Sequence, residues 1–274
     1  MTEFSQIHPA LSFAGRLRRG ERAIGGWLGL AEPLTAGLVA GGPLDAVVLD
    51  VQHGLLDAAS IVGCIAEVTR AGKPALVRVA VGDFALAARA LDVGAVGVIA
   101  PMIDSAADAR AFVAQVKYPP VARRSWGAGT AMSLFGVETP ADYLRGANDA
   151  TLALAMIETR EAVEAIDEIL AVDGLDGVFI GPNDLSIALS GGARIDVLDA
   201  EVDAALDRVI AAARGRGKIA GIFGGAAAYA RAFRAKGFDL VTVGYDSMYV
   251  AAGVAAMRAE MGEAPVESGP VRAY

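Results

Sequence analysis

The stretch LALAMIETREAVEAIDEILAVDGLDGVFIGPNDLS, residues 152–186, decides the fold class. It covers the apolar run 176–181 and all but the first residue of the run 151–158, and the segment between them carries apolar residues at helical spacing. Gly174 follows the last helical turn, where a glycine commonly ends a helix. Two strands joined by a helix are parallel, with a right-handed crossover. The stretch therefore predicts one βαβ unit of a parallel sheet.

The same alternation continues on both sides of this unit. Each further apolar run precedes a segment that we interpret as a helix, and these runs are 23–30, 45–51, 74–79, 95–101, 218–223 and 239–244. Eight successive βα units predict a single (β/α)8 TIM barrel over residues 1–274, with a flexible N-terminal segment at 1–20 and a C-terminal tail at 263–274. An open doubly wound sheet is the alternative that this alternation permits. Because no GxGxxG follows the first strand and no GxxxxGK[ST] occurs, nucleotide binding has little support.

The composition disfavours several classes of protein. A chain of 274 residues that is 54% hydrophobic and 20% charged is typical of one large globular domain with a buried core. The net charge of −8 disfavours nucleic acid and anionic membranes as main partners, since both require clustered Lys and Arg. We find no secretory signal and no apolar run of about 20 residues, the length that spans a bilayer. The single cysteine, Cys64, has no internal disulfide partner, and we expect a cytoplasmic enzyme.

Polar residues at the carboxyl ends of the predicted strands are the candidate catalytic groups, because the active site of such a barrel lies at that end. Asp50 and His53 follow the second strand in LDVQHG, and Arg78 ends the third strand in LVRV. A lone histidine is more often structural, but its place at a strand end favours a catalytic His53. Asp50 is placed to accept an N–H from the imidazole and so hold its tautomer. Arg78 either pairs with Asp50 or binds a substrate oxygen, and we favour the second without excluding both.

Two further carboxylates suggest a metal site. Glu158 ends the fifth strand and Asp184 follows the sixth, an arrangement that suits Mg²⁺ or Mn²⁺ with positions left open for water and substrate. The alternatives are a helix N-cap for Asp184 and a salt bridge from Glu158 to Arg160. The turn at 181–184 also offers backbone N–H groups to a carboxylate. None of the four lysines lies at the carboxyl end of a strand, so a metal rather than an imine should stabilise an enolate.

One connection, from Tyr118 to Ala150, is much longer than the usual link between barrel elements. We expect it to cross from one end of the barrel to the other. It serves either as a contact between subunits or as a source of anion-binding arginines, Arg123 or Arg124.

Several segments carry a family resemblance. DAVVLDVQHGLLD, ALVRV, LDVGAVGVIAPMIDSAADAR and YPPVARRSWG, followed by the stretch at 152–186, closely resemble the HpcH/HpaI aldolase family over residues 20–260. The resemblance implies a metal-dependent class II pyruvate aldolase that reversibly cleaves 4-hydroxy-2-oxo acids to pyruvate and an aldehyde. It also implies Mg²⁺, Mn²⁺ or Co²⁺ as the cofactor and a homohexamer with exchanged C-terminal helices. The alternatives are a CoA-thioester lyase of the malyl-CoA or citryl-CoA type and a non-catalytic barrel.

The resemblance further implies roles for individual residues. Residues matching Glu158 and Asp184 bind the metal that pyruvate chelates. The residue matching Arg78 stabilises the enolate oxygen, and the one matching His53, paired with Asp50, moves the proton. The implied substrate contacts and supporting positions are Trp27, Gly181, Pro182, Asn183 and Arg124, then Asp92 and Gln52. The glutamine is a departure, because many members have an acidic residue before the histidine, and we expect this change to affect the histidine pKa or the aldehyde preference.

Overall fold

Residues 4–263, the part of the chain that this computed structural model describes, form a closed barrel of eight parallel strands. The strands are β1 (Ala23–Leu28), β2 (Ala46–Asp50), β3 (Ala75–Arg78), β4 (Gly97–Ala100), β5 (Leu152–Ile157), β6 (Gly177–Ile180), β7 (Ile219–Phe223) and β8 (Leu240–Thr242). Each strand pairs with the next, and β1 pairs with β8. The predicted (β/α)8 TIM barrel is confirmed, and an open sheet is excluded. The expected tail lies, from residue 264 onwards, outside the described residues.

Helices precede the first strand and follow every strand around the barrel. They are α1 (Phe4–Ile7), a 3-10 helix (Pro9–Ser12), α2 (Phe13–Arg18), α3 (Pro33–Ala40), α4 (Ser60–Arg70), α5 (Phe84–Asp92), α6 (Ala106–Val116), α7 (Gly129–Phe135), α8 (Pro140–Ala150), α9 (Arg160–Glu164), α10 (Ile166–Leu170), α11 (Pro182–Leu189), α12 (Ala200–Gly215), α13 (Ala227–Lys236) and α14 (Asp246–Glu260). No helix among the described residues has the length and apolar character needed to cross a membrane.

The strands are buried on both faces, as the long apolar runs predict. Leu76, Ile99 and Phe179 belong to a cluster that fills the inside of the barrel. The residues that alternate with them, such as Val77 and Val98, pack outward against the helices. The barrel is therefore a packed core, and its polar groups are confined to the ends.

The strand register places candidate residues side by side. Asp50 pairs with Arg78 across β2 and β3. The last residue pair between β5 and β6 lies directly before Glu158 and Gly181. These four positions are therefore fixed by the sheet itself and not by long flexible loops.

The N-terminal residues differ from the sequence expectation. Residues 4–18 form α1, the 3-10 helix and α2, and Phe13 and Leu17 are buried among the first residues of the strands. Helix α2 thus covers the amino end of the barrel. The expectation that residues 1–20 are flexible is therefore corrected over residues 4–18, because burying these apolar side chains stabilises the packed conformation.

The long connection between α6 and β5 carries α7 and α8. Helix α8 packs against α1 and α2, and the rings of Phe4 and Tyr143 meet edge to face at 5.9 Å. A barrel helix runs antiparallel to its strand, so α6 ends at the same end of the barrel at which β5 begins. The expectation that this connection crosses the barrel is therefore wrong, and it lies over the amino end.

Candidate active site

A cavity of about 430 Å³ opens at the carboxyl ends of the strands. Eight of the residues predicted from the sequence line it: Trp27, Asp50, His53, Arg78, Gly181, Pro182, Asn183 and Asp184. Four separate strands and their following loops contribute these residues. The structure therefore brings most of the predicted site together in one place.

Asp50 and Arg78 form a bidentate ion pair at the base of the cavity. Arg78 Nε and Nη2 donate to the two carboxylate oxygens at 2.8 and 2.6 Å, and the two residues are only 7% and 2% exposed. Trp27 Nε1 also donates to Asp50 Oδ2 at 3.1 Å, and the guanidinium lies 4.9 Å from the centre of the indole ring. Within residues 4–263, Arg78 Nη1 donates to no protein group, and Arg78 lines the cavity. The geometry of Arg78 is thus compatible both with the ion pair to Asp50 and with a hydrogen bond to a substrate oxygen.

His53 lies at the cavity with an exposed side chain. Asp50 Oδ1 accepts the backbone N–H groups of Gln52 at 3.1 Å and His53 at 3.4 Å. Asp50 thus holds the loop backbone, while its described side-chain partners are Arg78 and Trp27 and not the imidazole. The expectation that Asp50 sets the histidine tautomer is corrected for this reason: the guanidinium and the indole occupy the carboxylate.

At Gly54 the loop that follows β2 and carries His53 packs closely against the backbone of Gly29 and Asp50. A Cβ at residue 54 would lie 2.7 Å from Gly29 Cα and closer still to the Asp50 carbonyl oxygen. Leu55 N donates to the Gly29 carbonyl oxygen at 2.6 Å in the same place. Only glycine fits between these backbones, so the His-Gly pair fixes where the imidazole leaves the loop.

Glu158 is a buried carboxylate with no basic hydrogen-bond partner among the described residues. Its Oε2 accepts the Met102 N–H at 3.0 Å, and the side chain is otherwise enclosed. Burial, together with the charges of Asp184 and Asp104, raises the pKa of Glu158 to about 7, against the lowering effects of the Met102 N–H and the Arg78 guanidinium. A nearby cation would relieve this repulsion.

The salt-bridge alternative for Glu158 is contradicted. Arg160 instead donates to Glu201 at 2.8 Å and to the Leu189 carbonyl oxygen at 2.8 Å. The helix-cap alternative for Asp184 is contradicted as well, because Gly181 occupies the N-cap position of α11 and Asp184 lies in its first turn.

The donor set fits a hard divalent cation. A Cβ at Gly181 would lie 2.9 Å from Glu158 Cγ and overlap its Oε1, so the carboxylate occupies the space that the glycine leaves open. Mg²⁺ is commonly held by one or two carboxylates, with waters and substrate oxygens completing the octahedron. In residues 4–263 no group of three or more His, Cys, Asp and Glu side chains is placed to hold a metal ion, so Glu158 and Asp184 would need waters and substrate oxygens as further ligands.

Comparisons with known proteins agree with this geometry. The family model described as HpcH/HpaI aldolase/citrate lyase matches residues 23–252. The chain belongs to the HpcH/HpaI aldolase/citrate lyase family. A protein named hydroxypyruvate/pyruvate aldolase from Rhizorhabdus wittichii is 40% identical over 83% of this chain and 89% of its own length. A 4-hydroxy-2-oxo-heptane-1,7-dioate aldolase from Salmonella paratyphi B is 36% identical over 96% of this chain and 99% of its own length.

A solved structure gives the same result. The crystal structure of an HpcH/HpaI aldolase/citrate lyase family protein from Burkholderia cenocepacia superposes with a TM-score of 0.81 at 28% identity, covering 92% of this chain and 99% of that one. The family predicted from the sequence is therefore confirmed, and so is its activity as a carbon–carbon lyase of the aldolase type.

Two residues that the family resemblance assigned to the site lie elsewhere in this HpcH/HpaI barrel. Arg124 and Asp92 form a buried ion pair of 2.6 Å, and the guanidinium stacks on Tyr118 at 4.5 Å. Asp92 ends α5, and Arg124 N donates to Lys117 O just after α6, so the pair lies at the amino end of the barrel. Arg124 therefore does not contact the cavity of its own chain, because the pair lies at the opposite end of the barrel. Asp92 acts as its partner.

Gln52 also does not line the cavity. Its Oε1 is buried without a hydrogen-bond partner among the described residues. An acidic side chain at this position would carry an uncompensated buried charge unless another group accompanied it. The neutral amide thus suits the surroundings that this chain provides.

Asp104 is a site residue that we did not predict. It follows β4, accepts the Thr159 hydroxyl at 2.6 Å, and contributes to the raised pKa of Glu158. Its position after a strand end in IAPMIDS is the same signal that identified the other candidates.

Proposed function

We propose that the chain is a metal-dependent class II pyruvate aldolase, which reversibly cleaves 4-hydroxy-2-oxo acids to pyruvate and an aldehyde. The observation that carries the proposal is one cavity lined by a guanidinium held by Asp50, an exposed imidazole and the Asp184 carboxylate, with the buried carboxylate of Glu158 directly behind Gly181 of its wall. The names of the two relatives support pyruvate and an aldehyde as substrates.

Glu158 and Asp184 would hold the divalent cation, which we propose to be Mg²⁺, Mn²⁺ or Co²⁺. When bound, such a cation polarises the keto oxygen of pyruvate and stabilises negative charge on the enolate. The backbone of the turn at Gly181, Pro182 and Asn183 lies beside these carboxylates and leads into α11. Pro182 has no N–H and the Gly181 N–H donates to the Ile157 carbonyl oxygen, so the N–H groups of Asn183 and Asp184 in the first turn of α11 are the ones that suit the pyruvate carboxylate.

The remaining residues transfer the proton and stabilise the developing negative charge. In the cleavage direction His53, directly or through water, accepts the proton of the C4 hydroxyl. The C3–C4 bond breaks, its electron pair forms the enolate, and the aldehyde leaves. Arg78 donates Nη1 to the developing enolate oxygen, while Trp27 and Asp50 hold the guanidinium in place. Protonation of C3 by His53 then gives pyruvate and restores the neutral imidazole.

Exchange of the pyruvate C3 hydrogens in D₂O, followed by proton NMR, tests this proposal. Exchange requires enolate formation but no aldehyde, so it reports the pyruvate half-reaction alone. We expect EDTA to abolish exchange and Mg²⁺, Mn²⁺ or Co²⁺ to restore it, with His53→Ala inactive in all cases. Borohydride with pyruvate should trap no adduct. Exchange that survives chelation, or a borohydride-stable adduct, contradicts the proposal.

We further propose a cytoplasmic homohexamer in which C-terminal helices are exchanged. Helix α14 supports this, because it presents an exposed apolar stripe: Val250 (60%), Val254 (64%) and Met257 (67%). Their spacing places them along one face of the helix, and such a stripe indicates a protein contact. Light scattering should give the mass of six chains for the wild type and a smaller mass for Met257→Lys. An unchanged mass for this variant contradicts the role of α14.

A further inference from the structure

One half of the cavity is aromatic and apolar. Phe223 comes from the end of β7, Tyr229 and Phe233 from α13, and Tyr245 from the end of β8, and Val197 closes the wall. Phe223 and Tyr245 are half-buried, and Tyr229 is 40% exposed. The polar groups of the proposed pyruvate site come from or follow β1 to β3, β5 and β6, so they lie on other strands than the aromatic half, which adjoins them at Trp27.

The aromatic wall is held in place by its own packing. The rings of Phe223 and Trp27 meet at 4.9 Å and 70°, and Trp27 is in turn fixed by Asp50 and Arg78. Phe233 packs edge to face on Phe238 at 6.3 Å. Aromatic rings prefer such edge-to-face or offset contacts with further flat groups, so the wall is preorganised for one.

The same half of the cavity offers no counter-charge. Among the described residues that line it, the basic side chains are His53 and Arg78 alone. Arg78 is bound to Asp50, its remaining donor faces the enolate oxygen in the proposed reaction, and His53 is the proton-transfer group. Arg124 lies at the far end of the barrel with Asp92. A second carboxylate on the aldehyde would therefore lose its hydration beside aromatic rings and gain no ion pair.

We infer that the acceptor of this enzyme is an uncharged aldehyde with an aryl or other flat apolar group, which packs against Phe223 and Tyr229. Aldehydes that carry a distal carboxylate are poor acceptors. This inference rests on the proposed function, because it concerns the aldehyde half of the same reaction.

Matched aldehyde pairs test the inference. The full chain, with Mn²⁺ and pyruvate, is given benzaldehyde or 4-carboxybenzaldehyde, and butanal or succinic semialdehyde, so that each pair differs by one carboxylate. We expect kcat/KM to be at least about tenfold higher for the uncharged member, with benzaldehyde above butanal. Equal or higher kcat/KM for the carboxylated members overturns the inference.

A variant with an added charge sharpens this test. Tyr229→Lys places a cation in the aromatic half at an exposed position. It should lower the ratio of kcat/KM for benzaldehyde to kcat/KM for 4-carboxybenzaldehyde by about tenfold. Ala232→Lys adds the same charge on an exposed, non-lining position of α13 and should leave the ratio unchanged. Equal narrowing in both variants, or in neither, contradicts the role of Tyr229.

The two proposals fail in different ways. If the pyruvate C3 hydrogens do not exchange with metal present, the proposed function is refuted and the inference with it. If exchange proceeds but the carboxylated aldehydes are preferred, the inference alone is refuted.

Discussion

Replacing Arg78 by methionine should both destabilise the protein and inactivate it, because the guanidinium is the buried partner of Asp50. Removal of one member of a buried ion pair typically costs about 3–5 kcal/mol, since the other charge is left unpaired. Asp50 keeps the Trp27 indole N–H and the N–H groups of Gln52 and His53, so we expect the lower end, about 3 kcal/mol. A domain with a free energy of unfolding of about 5–15 kcal/mol remains mostly folded after this loss.

Urea unfolding, followed by tryptophan fluorescence, measures this effect. Asp50→Asn and the double variant with Arg78→Met complete a cycle, and the double variant should lose at least about 1 kcal/mol less than the sum of the single losses. His53→Ala is the matched control: its exposed side chain predicts a change within about 0.5 kcal/mol, although proton exchange should fall by about 10²–10⁴. A loss below about 1 kcal/mol for Arg78→Met, or additive losses in the cycle, refutes the reasoning.

Three further predictions concern the carboxylates. The folded pKa of Glu158, about 7, lies above its ordinary value of 4.5, so the folded metal-free protein binds a proton more tightly than the unfolded chain. Its free energy of unfolding should therefore fall by roughly 3 kcal/mol as pH rises from 4.5 to above 7, and Glu158→Gln should flatten this dependence in urea titrations. Calorimetry should show tighter Mn²⁺ binding as pH rises through 7, and pH-independent affinity contradicts the assignment. Gly181→Ala forces the Glu158 carboxylate to move and should lower the affinity for Mn²⁺ at least about tenfold. An unchanged affinity argues against a metal beside residue 181.

The barrel and much of the cavity were predictable from the sequence for local reasons. Each strand is a short apolar run, and the polar residue that ends it needs no knowledge of distant contacts to be identified. The strand register then determines which of these residues are neighbours, since it pairs Asp50 with Arg78 and brings Glu158 beside Gly181. Asp104 also follows a strand, but it lies four residues beyond Ala100, and the sequence does not show that this loop returns it to Thr159 and Glu158.

The predictions that the structure corrected concern contacts between residues far apart in the chain. The pairing of Arg124 with Asp92 depends on how the long α6–β5 connection folds over the amino end, which no periodicity reveals. The burial of Phe13 likewise depends on a strand-end cluster that forms only when the barrel closes. The aromatic half of the cavity was not predicted either, because Phe223 and Tyr229 look like ordinary core and surface residues in the sequence.

The distribution of charge around the cavity explains why we place the cation on one side of it. The Asp50 carboxylate is already neutralised by two charge-assisted hydrogen bonds from Arg78, so it offers a cation little. Glu158, by contrast, is buried next to Asp184 and Asp104 and retains a proton at pH values where an ordinary carboxyl has lost it. A divalent cation binding at Glu158 and Asp184 would displace that proton and remove the repulsion. The free donor of Arg78 would remain available, so an enolate oxygen would meet the positive charge of both the cation and the guanidinium.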